Sequence, residues 1–211
     1  MPQKIDIENW KRREHFRYFC SLDDPYWSIT TELDCTNTYR RAKERSQSFF
    51  LSYLHKALQA LHKIEELKMR IVEKDVICYE QIHASATVLR QDETFGCCFI
   101  EFEENFTAFA EKASEAIRKT MQTSGMCLEH DYRLNQIHVS SIPWNHFSSL
   151  TYAKSLKPQD SVPKITFGKI LKAGKKVTFP VAIQVHHGLA DGLHVARFLD
   201  LYQTLLTNNI S

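Results

Sequence analysis

Two adjacent histidines and a nearby aspartate form the most distinctive group of polar residues in the chain. His186 and His187 are followed by Asp191 and a glycine, within Gln-Val-His-His-Gly-Leu-Ala-Asp-Gly-Leu-His-Val. The apolar run 177–185 before them predicts a buried strand, and the apolar spacing from Leu193 onward predicts a helix. A neutral imidazole on a tight turn between a strand and a helix suits a general base. The segment is therefore the candidate catalytic site.

Two interpretations of this segment stay open from the residues alone. In the first, the histidines end a buried strand and only satisfy backbone groups, which is the usual situation for an isolated His-His pair. In the second they perform chemistry, and the Asp191-Gly192 pair after the same strand favours this one. Asp191 is either the carboxylate that orients the base, as in a Ser-His-Asp triad, or a charge that fixes the turn.

Size and charge limit the classes of protein that fit. The 211 residues, 43% hydrophobic and 25% charged, are ordinary for one globular domain, and we expect residues 1–211 to form a single unit. A net charge of +2 gives no reason to expect nucleic acid or a membrane as a partner. No apolar run approaches the roughly 18 residues of a membrane span. The first ten residues contain no apolar signal core, so we expect a cytoplasmic protein.

The cysteines give no indication of a metal site. None belongs to a Cys-x-x-Cys pair, and the adjacent pair 97–98 is a poor spacing for metal ligands. We expect reduced thiols that mostly pack as small core residues, and no metal cofactor.

Apolar periodicity predicts a mixed sheet flanked by helices. Helical spacing is clearest over 48–67, 105–121 and 193–206, and a first helix is expected over 6–19. Strands are expected at 26–33, 69–72, 76–79, 84–89, 97–102, 136–141, 163–171 and 177–185, with a hairpin around Ala173-Gly174. Several strands follow one another between helices. The predicted fold class is therefore α/β, or α+β in two layers, rather than a doubly wound parallel sheet.

Motifs spread over nearly the whole chain resemble those of the chloramphenicol acetyltransferases, a family of CoA-dependent acyltransferases. The first is Trp10-Lys11-Arg12-Arg13-Glu14-His15-Phe16. Thr87-Val88, Glu93-Thr94-Phe95 and Pro143-Trp144 follow in the family's order, and residues 179–195 match almost verbatim. The resemblance implies the family's fold and the transfer of an acetyl group from acetyl-CoA to a hydroxyl group.

The resemblance also implies roles for individual residues. His187 matches the general base, because the second histidine of the pair is the catalytic one in the family. Arg12 matches the partner of Asp191 in a salt bridge, which makes Asp191 architectural rather than a proton acceptor. Ser140 matches a hydroxyl donor to the oxyanion, and Thr166 matches a threonine that holds a water near the intermediate.

The same resemblance implies contacts to the acceptor and to other subunits, and the lysines of the predicted hairpin suggest a contact to CoA. Phe19 and Phe95 match aromatic positions of the acceptor pocket. Lys169 and Lys172 belong to a lysine cluster around the predicted hairpin, which either meets the phosphates of CoA or is a solvated turn. The family forms a homotrimer whose active sites lie at subunit interfaces. The histidine comes from one subunit and much of the acceptor pocket from its neighbour.

The acceptor is less well determined than the chemistry. Segments 20–27 and 148–154, and Ile170 in place of the family's usual tyrosine, depart from the family pattern in regions that contact the acceptor. Chloramphenicol, acetylated on its primary hydroxyl, is the preferred acceptor, and another hydroxylated small molecule is the alternative.

Three other classes share part of the pattern. A dihydrolipoamide acyltransferase core transfers to a thiol and usually shows Asp-His instead of His-His. A nonribosomal condensation domain needs about twice this length. A non-catalytic homologue with a drifted pocket is disfavoured by the intact set His187, Asp191, Arg12 and Ser140.

Overall fold

The structure is a computed structural model that describes residues 2–130, 132–153 and 160–208. Its helices are α1 (Arg13–Cys20), α2 (Thr36–Glu44), α3 (Phe49–His62), α4 (Phe106–Gln122) and α5 (Gly192–Thr207), with a 3-10 helix at Glu65–Lys68. Its strands are β1 (Gln3–Lys4), β2 (Tyr26–Asp34), β3 (Met69–Val72), β4 (Asp75–Cys78), β5 (His83–Leu89), β6 (Phe95–Ile100), β7 (Gln136–Ile142), β8 (Lys164–Gly168), β9 (Leu171–Ala173) and β10 (Lys176–His186).

A seven-stranded mixed sheet organises the molecule. Its order is β2-β10-β8-β7-β5-β6, and β9 pairs with β10. Strand β7 runs parallel to both of its neighbours, whereas the other pairs are antiparallel. The predicted mixed sheet with flanking helices is confirmed, and a small antiparallel sheet, β1-β4-β3, stands apart from it.

The two faces of the large sheet differ in chemistry because side chains alternate along each strand. One face is apolar and packs against helices α2 to α5 in the main core. On β10 this face carries Val181, Ile183 and Val185, each at most 3% exposed. The opposite face of the same strand carries Gln184 and His186. Polar side chains that are not part of the core therefore line one side of the sheet.

The first helix begins later than predicted. Residues 6–19 were expected to be helical, but α1 starts at Arg13. The carboxylate of Asp6 accepts hydrogen bonds from the backbone N–H groups of Glu8 and Asn9, at 3.1 and 3.4 Å. Such local bonds compete with helical pairing, so the segment before Arg13 forms turns.

Two other elements are shorter than the periodicity predicted. The helix expected over 48–67 ends at His62 and resumes as the 3-10 helix. The strand expected over 163–171 divides into β8 and β9, and the break lies opposite Pro180 of β10. Proline has no N–H to donate to a neighbouring strand, which accounts for the interruption.

Candidate active site

The turn after β10 is fixed by the amino-terminal part of the chain. The N–H of His187 donates to the carbonyl of Pro25 at 2.8 Å. The indole N–H of Trp27 donates to the carbonyl of Ala190 at 3.1 Å. Because β2 pairs with β10 through His186, both contacts hold the turn at the end of this ladder.

The ring of His187 is oriented by aromatic packing. It lies parallel to the ring of Phe19, with centroids 3.8 Å apart and planes 4° apart, and 5.7 Å from the ring of Trp27. Its Nδ1 atom is buried and, within the part of the chain that the structure describes, has no hydrogen-bond partner. Packing rather than a hydrogen bond to a carboxylate therefore sets the orientation of the imidazole.

Asp191 is bound to Arg12 instead of to the imidazole. One guanidinium nitrogen, Nη1, lies 2.6 Å from Oδ2 of Asp191, and Nη2 donates to the carbonyl of His187 at 3.3 Å. The Arg12 side chain is only 8% exposed. Burial opposes ionisation of Asp191, but the bond from Arg12 and the neighbouring charges keep its pKa below the ordinary value. The ion pair thus ties the turn that carries His187 to the start of α1.

The other oxygen of Asp191 caps helix α5. Oδ1 accepts the backbone N–H of Leu193 at 3.1 Å, and Nδ1 of His194 accepts the backbone N–H of Asp191 at 3.1 Å. This reciprocal arrangement is a capping box, which satisfies donors that the first helical turn leaves free. Both carboxylate oxygens are therefore engaged in fixing the backbone.

His186 has a different environment from its neighbour. It is 2% exposed, and its Nδ1 accepts the N–H of Gly188 at 3.1 Å. Burial lowers the pKa of His186 to about 4, against an opposing effect of Asp160. This side chain is neutral and supports the turn.

Buried neutral histidines should make the fold sensitive to mild acid. His62 and His83 accept backbone N–H groups from Ile82 and Phe102, and burial lowers the pKa of each. The unfolded chain then binds more protons than the folded one below about pH 6.5. We expect the free energy of unfolding to be flat above this pH and to fall below it, by up to about 1.4 kcal/mol per pH unit for each histidine, and the thermal midpoint should fall with it.

Thermal melts between pH 7.5 and 5 measure this effect. His83→Asn retains an acceptor for the N–H of Phe102 but cannot be protonated, so it should reduce the slope. The matched control is His15→Gln, since His15 is exposed. An unchanged slope in His83→Asn would show that this histidine is not responsible.

Ser140 and Thr166 lie together on the polar face of the sheet. They are register partners on the parallel strands β7 and β8, and Thr166 in turn faces Ala182 of β10. The phenol of Tyr152 donates to the carbonyl of Ala182 at 2.9 Å and also contacts the Thr166 side chain. Ser141 points the other way, where its Oγ lies 3.1 Å from the hydroxyl of Tyr53.

Ser140 and Thr166 are distant from His187 in the same chain. Ala182 precedes His187 by five positions on an extended strand, a path of roughly 16 Å. Ser140 is two strands away from β10, which adds roughly 10 Å in the perpendicular direction. One copy of the chain therefore does not bring the predicted base and the predicted oxyanion donor together.

Comparison with known proteins agrees with these features. A family model described as chloramphenicol acetyltransferase matches residues 2–203. The chain belongs to the chloramphenicol acetyltransferase family. It is 30% identical to the chloramphenicol acetyltransferase of Bacillus pumilus, over 98% of this chain and 94% of the relative. It is 26% identical to chloramphenicol acetyltransferase 3 of Escherichia coli, over 98% of both.

Solved structures agree at the level of the fold. A chloramphenicol acetyltransferase structure, 29% identical, superposes with a TM-score of 0.90 over 98% of this chain and 100% of its own. A probable dihydrolipoamide acetyltransferase from Listeria monocytogenes shares the fold alone, with a TM-score of 0.68 and 17% identity. The chain is accordingly an acyltransferase with a chloramphenicol acetyltransferase-like α/β fold.

Of the remaining predicted residues of this acetyltransferase, Phe19 contacts His187 and the other three lie apart from it. Phe19 stacks directly on His187, whereas Phe95 begins the edge strand β6 and is 44% exposed. Lys172 is on β9, which pairs with the opposite end of β10, and its Nζ lies 4.8 Å from the centroid of the Tyr39 ring. Lys169 follows β8, and its N–H donates to the carbonyl of Asn145 at 2.9 Å.

Sequence reasoning missed two residues at these positions. Trp27 holds the turn through Ala190, and Tyr152 occupies the polar face beside Thr166. Both belong to segments that depart from the family pattern, so the resemblance gave no signal. The pairing of β2 with β10 places Trp27 opposite Val185, and a prediction of that register would have located it.

A metal site and a membrane-spanning helix are both absent from the part of the acetyltransferase that the structure describes. Over residues 2–130, 132–153 and 160–208, no group of three or more histidine, cysteine or acidic side chains is arranged to hold a metal ion. No helix within these ranges is long and apolar enough to cross a membrane.

Proposed function

We propose that this chain transfers the acetyl group of acetyl-CoA to the primary hydroxyl of chloramphenicol in a ternary complex. The observation that carries the proposal is His187 itself. Its half-buried imidazole stacks on Phe19 at the end of a fixed turn, and Asp191 is engaged with Arg12. An imidazole free of a carboxylate partner remains available to remove a proton from a substrate hydroxyl.

The reaction follows from these positions. Nε2 of His187 takes the proton of the hydroxyl while its oxygen attacks the thioester carbonyl. The Ser140 hydroxyl donates a hydrogen bond to the resulting oxyanion, and Thr166 holds a water near it. Collapse of the intermediate breaks the C–S bond, and the proton on His187 passes to the leaving thiolate. The products are the acetyl ester and CoA.

We further propose that the working unit is a homotrimer with shared active sites. The distance between His187 and Ser140 within one chain supports this, because a reacting carbonyl must lie within about 3 Å of both. A neighbouring copy would bring its Ser140, Thr166 and Phe95 to the His187 of this one. Sedimentation equilibrium tests the trimer, and a monomeric active enzyme would contradict it.

Substrate contacts beyond the base are part of the same proposal. Phe19 and Phe95 contribute to an acceptor pocket, and Lys169 and Lys172 approach the phosphates of CoA. We place the reaction in the cytoplasm, in keeping with the free cysteines of the structure. Expression in a sensitive bacterium should then raise resistance to chloramphenicol.

The deciding experiment is release of free thiol from acetyl-CoA with and without chloramphenicol. Release that depends on chloramphenicol supports the proposal. A wild-type enzyme that shows no such release refutes chloramphenicol as the acceptor. In that case a screen of other hydroxylated small molecules distinguishes an acetyltransferase with a different acceptor from a non-catalytic homologue. Tyr152 next to Thr166, in the divergent segment 148–154, is the observation that favours a different acceptor.

Ser140→Ala should lower kcat by about 10²-fold while the KM for acetyl-CoA stays nearly constant, since an oxyanion donor acts mainly in the transition state. Steady-state kinetics measure both constants. Ser141→Ala is the matched control, because its hydroxyl contacts Tyr53 on the helix-covered face. Equal losses of kcat in the two variants would identify Ser140 as an ordinary strand residue.

A further inference from the structure

A buried chain of contacts extends from the catalytic turn to the 3-10 helix. His194, at the start of α5, lies between two carboxylates. Its Nδ1 is 2.9 Å from Oδ1 of Asp191, and its Nε2 is 3.2 Å from Oε1 of Glu66. The side chains of His194 and Glu66 are 7% and 17% exposed. Glu66 therefore has a place at the site although the motif analysis did not include it.

The contacts fix the orientation of the His194 ring. Its Nδ1 faces Asp191 and lies 3.1 Å from the backbone nitrogen and 2.9 Å from Oδ1 of that residue. Its Nε2 faces Glu66, to whose carboxylate an N–H at this atom can donate. Burial lowers the pKa of His194, and Arg12 and Arg197 act in the same direction, against the raising effects of Glu66 and Asp191. Glu66 thus holds one edge of the ring while the other edge meets the cap of α5.

This orientation has a consequence for His187. If the ring lost its contact with Glu66 and turned, Nδ1 would leave the backbone N–H of Asp191, and the cap of α5 would loosen. Asp191 also holds Arg12, whose Nη2 reaches the backbone carbonyl of His187. A displacement of Asp191 would therefore shift the backbone of His187 through these two hydrogen bonds. Misplacement of a reacting group by 1 Å can cost about 10²-fold in rate.

We propose that Glu66 and His194 are positioning residues, in which Glu66 holds the His194 ring through Nε2 so that Asp191 and Arg12 hold the His187 turn. The inference rests on the proposed function of His187. It assigns a role in catalysis to the 3-10 helix, which is remote in sequence from both motifs of the site. Neither residue touches a substrate.

The test compares variants of Glu66 in the intact acetyltransferase. Glu66→Ala should lower kcat about tenfold, with the KM for acetyl-CoA within about twofold of wild type. Glu66→Gln keeps an oxygen that accepts from Nε2–H and should recover most of the lost rate. Glu65→Ala removes the same charge from an exposed position of the same helical turn and is the matched control. A purely electrostatic effect would lower kcat equally in the Gln and Ala variants. A loss of packing alone would lower the thermal midpoint of Glu66→Ala together with its kcat.

His194→Asn separates the two contacts of the histidine. The asparagine oxygen can replace Nδ1 as the cap of Asp191, but the side chain does not reach Glu66. We expect kcat to fall as in Glu66→Ala, and the double variant to be no slower than either single one. Thermal midpoints of these variants should lie above that of Arg12→Met, because both charges of the Arg12–Asp191 pair remain.

The outcomes separate this inference from the proposed function. Wild-type kcat in Glu66→Ala, or additive losses in the double variant, would overturn the positioning role while His187→Ala remains inactive. Normal turnover in His187→Ala would refute the general base itself, and the positioning role with it.

Discussion

His187→Ala should lower kcat by about 10³-fold, within the range expected for loss of a general base. The hydroxyl acceptor is weakly acidic, so it needs a base to take its proton as it attacks the thioester, and His187 is the base in the proposed reaction. Thiol release from acetyl-CoA measures the rate. Circular dichroism and sedimentation should show an intact fold and assembly, because the side chain makes no hydrogen bond through its buried Nδ1.

His186→Asn is the informative companion variant. It keeps an acceptor for the N–H of Gly188 and should retain most of the rate, with some loss of thermal stability. Similar losses of kcat in the two variants would mean that the turn, rather than one imidazole, is responsible. Turnover close to wild type in His187→Ala would remove the general base from the mechanism.

A mixing experiment extends this prediction to the assembly. His187→Ala and Ser140→Ala should each be nearly inactive alone. If each active site combines His187 of one copy with Ser140 of the next, random equal mixing by refolding restores about a quarter of the sites. If both residues acted within one copy, mixing would restore none. The experiment therefore tests subunit sharing without a structure of the trimer.

Arg12→Met should lower both stability and rate. The variant keeps the apolar stem but leaves Asp191 without its cation, and removal of one partner from a buried pair typically costs 3–5 kcal/mol. Asp191 is 30% exposed, so we expect a smaller loss of about 2 kcal/mol in the free energy of unfolding. The rate should fall because the His187 carbonyl loses its bond to Nη2. Urea denaturation and steady-state kinetics measure the two effects.

The double variant Arg12→Met with Asp191→Asn tests the cause. Removal of both charges should recover part of the lost stability without recovering the rate, since no unpaired buried charge remains. The pH dependence gives a second check. The pKa of Asp191 is lowered in the fold, so the contribution of the pair is present above the ordinary carboxyl pKa and is lost as the pH falls through the folded value. Strictly additive stability losses would argue against a coupled pair.

Much of the fold could be predicted from apolar periodicity because the helices and turns depend on residues close together in sequence. Helix α4 begins after Asn105, whose side chain accepts the N–H of Ala108, and it was expected at nearly these bounds. The hairpin at Gly174 was expected as well, and this glycine has a φ of +60°. The predicted start of α1 was wrong because the Asp6 carboxylate binds nearby backbone N–H groups and holds the segment in turns, although its apolar spacing is helical.

The candidate site could be predicted from the sequence only in part. The His-His-x-x-x-Asp-Gly segment located the turn, and the family resemblance paired Arg12 with Asp191, which the structure places 2.6 Å apart. The contribution of Glu66 depends on a 3-10 helix that the apolar pattern merged into α3. The separation of Ser140 from His187 depends on strand order and register, which no local pattern encodes.

The position of β2 has a consequence for synthesis of the chain. Within the described residues, β2 has one strand partner, β10, which emerges from the ribosome roughly 140 residues later. At the usual speed of translation, β2 waits about 7 to 30 seconds for that partner. During this interval its edge is open to other chains, and Trp27 has no turn to hold. The turn that carries His187 is therefore among the last parts of the newborn chain to take shape, because it needs a pairing between segments far apart in sequence.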